Sequence, residues 1–146
     1  MIRTVLRAHV WAFCGVVPLL VRLMPLERLI RLLTPQLRPY RNVAENEIAG
    51  LIQHRLANPR NMKRRRCLRL GLALYHFLRL SGRAAIIHFA VCPGRADDRM
   101  HAHCWVTLGE RCVSSFPAAG AAEMVRYPRT APASVRAVRR CDVGGS

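Results

Sequence analysis

Met62-Lys-Arg-Arg-Arg-Cys67-Leu-Arg-Leu-Gly-Leu-Ala-Leu-Tyr-His-Phe-Leu-Arg-Leu-Ser-Gly82 is the stretch on which the reading of this chain turns. Leu68, Leu70, Leu72, Ala73, Leu74, Phe77, Leu78 and Leu80 leave almost no polar face, so the spacing predicts a helix buried on most sides. Gly82 ends it, because glycine takes the left-handed conformation that closes a helix. Cys67 stands where the apolar pattern begins, behind Lys63, Arg64, Arg65 and Arg66. Those charges, and the unpaired N–H groups of a helix N-terminus, favour thiolate over thiol. Most cysteines on apolar helices are inert filler, but this position reads as a nucleophile.

A second stretch, Met100-His-Ala-His-Cys-Trp-Val-Thr107, reads as a strand carrying histidine. A strand histidine facing a helix-borne cysteine is the arrangement of a thiol hydrolase. His101 and His103 lie two apart and share a face. His103 is the stronger candidate, since Trp105 shares that face and would shield the imidazole from water. His9, His54, His76 and His88 have no such partner and read as structural, as do Cys14, Cys92, Cys112 and Cys141.

His101, His103, Cys104 and Cys112 also suit zinc by ligand type. Alternation sends Cys104 to the opposite strand face, and no C-x-x-C pair is present, so no metal is expected. Gly71 and Gly82 stand alone and no G-x-x-x-x-G-K-[ST] occurs, so ATP binding is not supported and no cofactor is expected.

The 146 residues suffice for one domain, or one compact catalytic lobe with a helical extension, and 51% hydrophobic residues argue for a real core. Lys and Arg number 24 against 8 Asp and Glu, a net charge of +16. Such a surface suits nucleic acid, anionic lipid or an acidic peptide or protein, and charge alone does not choose. Aromatics are 6% with no repeated aromatic-basic pattern, which weakens a base-stacking surface, so no nucleic-acid partner is expected. The six cysteines are read as mostly free thiols, because Met1 to Met24 lacks a small-residue cleavage site. The expected location is cytoplasmic. The apolar run Val10 to Val21 is too short to span a bilayer, which takes about 20 residues.

Along the chain, residues 3–33 read as one or two amphipathic helices, kinked or divided at Pro18 and Pro25. They suit either a helix packed on the catalytic lobe or a docking helix with peripheral membrane contact. Asn42 with Glu45 three residues later resembles a capping box, opening a helix to about Ala57. Ala84 to Val91 and Ala102 to Leu108 are strands; Gly109-Glu110 turns the second into a third, Arg111 to Phe116. Ala118 to Arg126 suggests a short helix before a loose tail. The organisation is then a helical N-terminal segment (1–60), a core (61–117), and a short helix with a loosely ordered tail (118–146). The expected class is α+β: N-terminal helices, then a cysteine-bearing helix packed on a small antiparallel sheet.

Two motifs carry a family resemblance. Cys67-Leu-Arg-Leu-Gly-Leu-Ala-Leu-Tyr-His-Phe-Leu-Arg-Leu-Ser-Gly82 resembles the cysteine helix of the lasso-peptide leader peptidases, which are transglutaminase-like, papain-related cysteine hydrolases. Ala102-His103-Cys104-Trp105-Val106 resembles their A-H-A-W-V strand, with cysteine in place of the second alanine. With the N-terminal leucine-arginine segment, the likeness spans about residues 10–116. It implies a transglutaminase-like core and a cysteine protease, with Cys67 and His103 catalytic, that removes the leader from a ribosomally made precursor. A separate asparagine-synthetase-like cyclase would then close the macrolactam, and a separate leader-recognition domain protein would present the leader. The resemblance also implies an acid on the strand after the histidine, where this chain has Arg111-Cys112-Val113-Ser114-Ser115-Phe116. Ser115 or Ser114 would orient the imidazole more weakly, or Asp98 or Asp97 would reach in from the preceding loop. That departure leaves as one alternative a catalytically weak docking scaffold of the same pathway; the charge of +16 leaves another, a basic nucleic-acid-binding module.

Overall fold

The computed structural model describes residues 1–57, 66–92, 101–114 and 122–128. These form α1 (Ile2–Leu23), α2 (Leu26–Leu32), α3 (Glu45–Leu56), α4 (Arg66–Leu80), β1 (Ala85–Cys92), β2 (His101–Leu108), β3 (Arg111–Cys112) and β4 (Ala122–Tyr127). The class is α+β.

The apolar pattern after Cys67 does what its spacing predicts. In α4, Leu72, Leu74, Tyr75, Phe77 and Leu78 are fully buried, because α1 and α3 pack on one side of the helix and the sheet on the other. Each leucine so enclosed contributes about 2–3 kcal/mol relative to exposure. Leu6, Val10 and Val17 of α1 and Ile48, Ile52 and Leu56 of α3 belong to the same core, as do Ile87 of β1 and Val106 of β2. Residues 1–57 are therefore built into the core of α4.

Gly82 closes α4 as expected, at φ 81°. Its N–H donates to Arg79 O at 2.9 Å, and the N–H of Arg83 donates to Leu78 O at 3.0 Å. This pair of bonds satisfies carbonyls that the last helical turn leaves open.

The strands lie in the order β3-β2-β1-β4, with every neighbouring pair antiparallel. Gly109, at φ 60°, turns β2 into β3, pairing Leu108 with Arg111. Alternation divides the sheet. Ala85, Ile87, Cys104 and Val106 are buried toward α4. On the other face His88 stacks on Trp105, with ring centroids 5.0 Å apart. The nitrogens of His88 are 2.9 Å from Glu123 and 2.9 Å from Thr107.

Four expectations are corrected. The helix suggested over Ala118–Arg126 is a strand from Ala122 to Tyr127, where Glu123 reaches His88. Asn42 does not cap α3; its N-cap is Ala44, which makes no side-chain cap bond. The N-terminal segment divides at Pro25, whereas Pro18 lies inside α1, one residue after the buried Val17. α1 also outruns Val10–Val21 and, by length and composition alone, is long enough to cross a membrane. The third strand is described only at Arg111–Cys112, and Ser115 and Phe116 lie outside the described residues.

Candidate active site

Cys67 is the second residue of α4, half-buried, at one end of an open cleft of about 740 Å³. His103, Cys104 and Ser114 line the same cleft, and Leu70 adds an apolar patch. α3 contributes Gly50, Gln53 and His54 to the lining, and its C-cap residue Ala57 joins them. The size suits a ligand pocket.

The edge of β2 explains how a helix-borne thiol comes to rest there. Even-numbered residues of β2 direct their backbone polar groups toward β3: Val106 O accepts from Val113 N–H at 2.9 Å, and Val106 N–H donates to Ser114 Oγ at 3.0 Å. β3 pairs only with Thr107 and Leu108, so the groups of Ala102 and Cys104 meet Cys67 instead. Cys67 Sγ lies 3.9 Å from Ala102 O, and the N–H of Cys104 donates to the sulfur. His103, between them, borders the cleft from the same strand edge.

The Cys67 pKa is lowered from an ordinary thiol value to about 5. The largest cause is a hydrogen bond from the Cys104 thiol; the charge of His103 and the N–H groups of Cys104 and Leu68 add to it, against desolvation. Cys104 Sγ also lies 3.0 Å from Cys67 O. A thiol donates one proton, and the anionic sulfur is the stronger acceptor once it forms. The same bond, with burial, pushes the Cys104 pKa up. One thiol is thus held protonated beside another held ionised. Gly71 makes the arrangement sterically feasible: a Cβ there would stand 2.7 Å from Cys104 Sγ.

The lowered value fixes a pH dependence: thiolate is present above about pH 5 and is lost as pH falls through it. Alkylation of Cys67 by iodoacetamide, followed by peptide mass spectrometry, should titrate with a midpoint near that value and stay flat through neutrality. An ordinary thiol would still be rising at about pH 8.5. Cys104→Ala removes the largest cause and should move the midpoint upward; an unmoved midpoint would place the stabilisation elsewhere.

Of the residues singled out from sequence, Cys67, His103 and Ser114 come together in one cleft. The Ser114 hydroxyl accepts the Val106 amide. Ser115, Asp97 and Asp98 lie outside the described residues, as do Lys63, Arg64 and Arg65. His9 and His76 are structural: His9 Nδ1 lies 2.9 Å from the Tyr40 hydroxyl, His76 Nδ1 donates to Leu33 O at 3.0 Å, and burial lowers both pKa values. Among the described residues, no three of His, Cys, Asp and Glu converge as a metal ligand set.

Sequence reasoning missed the α3 lining and the part played by Cys104. Gly50, Gln53, His54 and Ala57 recur at helical spacing opposite the buried row Ile48, Ile52 and Leu56, and that small or polar stripe was the available signal. For Cys104 the signal was a thiol standing where the resembled motif has alanine. In comparisons with known proteins, the family model described as the transglutaminase-like superfamily matches residues 11–126. Curated proteins and solved structures give no significant match.

Proposed function

From the premise that the chain belongs to the transglutaminase-like superfamily, which includes cysteine peptidases, we propose that it is the peptidase that removes the leader from a lasso-peptide precursor. The observation that carries the reading is that Cys67 and His103 line one cleft, where a hydrogen bond from Cys104 and the charge of His103 pull the Cys67 thiol down to about pKa 5. Ionisation favours turnover over passive docking, since a scaffold gains nothing from holding a thiolate. The finer assignment, to lasso precursors, rests on the two sequence motifs.

In this mechanism the Cys67 thiolate attacks the scissile carbonyl of the leader. Protonated His103 then gives its proton to the leaving amine, and water, activated by the neutral imidazole, releases the acyl-enzyme. The backbone N–H of Cys67 is a natural donor to the oxyanion. The scissile carbonyl would enter this cleft, where Cys67 and His103 lie. A separate leader-recognition protein presents the substrate, and an asparagine-synthetase-like cyclase uses the freed amine.

The test is cleavage of a precursor encoded beside the gene, with the recognition protein supplied, followed by mass spectrometry. A single cut separating leader from core supports the assignment. No cut, or equal cutting of unrelated peptides, would overturn it.

A further inference from the structure

α1 commits one side to the core and leaves the other bare. Leu6, Val10 and Val17 are buried, while Val5, Trp11, Val16, Leu19 and Leu23 are 48–70% exposed, with Ala8, Ala12 and Gly15 exposed among them. No Asp, Glu, Lys or Arg occurs between Arg7 and Arg22, so the exposed side carries no charge over four turns. Soluble surfaces rarely leave so long an apolar face open. Past Leu23 the character changes. Over residues 22–41 Leu32 and Leu37 are exposed, and so are Arg22, Arg28, Arg31, Arg38 and Arg41, against one exposed acid, Glu27.

We infer that this face lies in the surface of an anionic lipid bilayer, with α1 in the plane of the interface and the arginines at its C-terminal end on the headgroups. The helix does not cross the membrane, because Leu6, Val10 and Val17 hold its other side in the core. An apolar face flanked by cations is what such an interface selects, and tryptophan favours the headgroup level. Trp11 is 64% exposed, with the Arg55 guanidinium 4.8 Å from its ring centre.

A second copy of the chain fits less well. A parallel pairing of these faces would bring both arginine clusters together, an antiparallel one would leave them without partners, and the chain has few acids to answer them. Glu45 and Glu47 pair with Arg111 and Arg3, and Glu123 with His88. The inference is independent of the catalytic reading.

The full-length protein should sediment with phosphatidylcholine vesicles containing phosphatidylglycerol, with a blue shift of Trp11 emission, and much less with phosphatidylcholine alone. Val16→Glu with Leu19→Glu should lower the bound fraction about tenfold or more, because it places charge at the depth of the acyl boundary. Arg28→Glu with Arg31→Glu should remove the preference for the anionic lipid. Circular dichroism and the Cys67 alkylation rate should be unchanged in both variants. No binding to anionic vesicles, or binding indifferent to Val16→Glu with Leu19→Glu, overturns the inference. So does a dimer that this variant dissociates while vesicles bind nothing, since a second copy would then be the occupant.

Discussion

Cys67→Ala is expected to abolish leader removal, a loss of about a thousandfold or more, while leaving the fold intact. The magnitude follows from removing a nucleophile, for which no neighbouring group substitutes. The intact fold follows from position: Cys67 is half-buried at the cleft, outside the enclosed part of α4 that begins at Leu72. Cys67→Ser should be nearly as inactive. The hydrogen bonds and charge that bring the thiol to about pKa 5 cannot bring a hydroxyl into the same range. Precursor cleavage by mass spectrometry, beside circular dichroism, reads both variants. Undiminished cleavage by the alanine variant would exclude Cys67 as the nucleophile.

His103→Ala should lose about a hundredfold or more in cleavage rate, the scale of a general acid or base. The structure separates two duties of this histidine. Its charge is only one contributor to the Cys67 thiolate, behind the Cys104 hydrogen bond, so much of the thiolate should survive its removal. The proton for the leaving amine would not. Alkylation of Cys67 by iodoacetamide, which needs no proton donor, should therefore fall far less than peptide cleavage. Equal losses in both assays would mean that His103 acts only by ionising the thiol.

The elements that hold the site were legible because their signals are local and redundant. The α4 pattern combines an apolar run, a cysteine at its start and a closing glycine. β1 and β2 are apolar runs bounded by turn residues, and Gly109 marks the hairpin. Elsewhere tertiary contact overrode the local signal. Glu123 reads as a helix former until His88 supplies its partner across the sheet. Pro18 reads as a break, yet it lies inside α1, which buried Leu6, Val10 and Val17 hold in the core. Asn42 matched a capping pattern, yet α3 starts at Glu45 without a side-chain cap. The sequence attributes the ionisation of Cys67 to local charge and the helix end. Its largest source is a thiol 37 residues away, across a strand edge that β3 leaves uncovered. No local pattern reports such a contact.

The approach of Gly71 to Cys104 also constrains how this protein can evolve. With a Cβ at 71 falling 2.7 Å from the Cys104 sulfur, alanine fits at 71 without displacement only when position 104 has lost its sulfur. With Cys104 in place, either its sulfur must move or helix and strand must part. Parting them would move Cys67, four residues before the glycine on the same helix, away from the strand edge that ionises it. Cys104→Ala would therefore open position 71 to alanine, and it would surrender at the same step the hydrogen bond that does most to ionise Cys67.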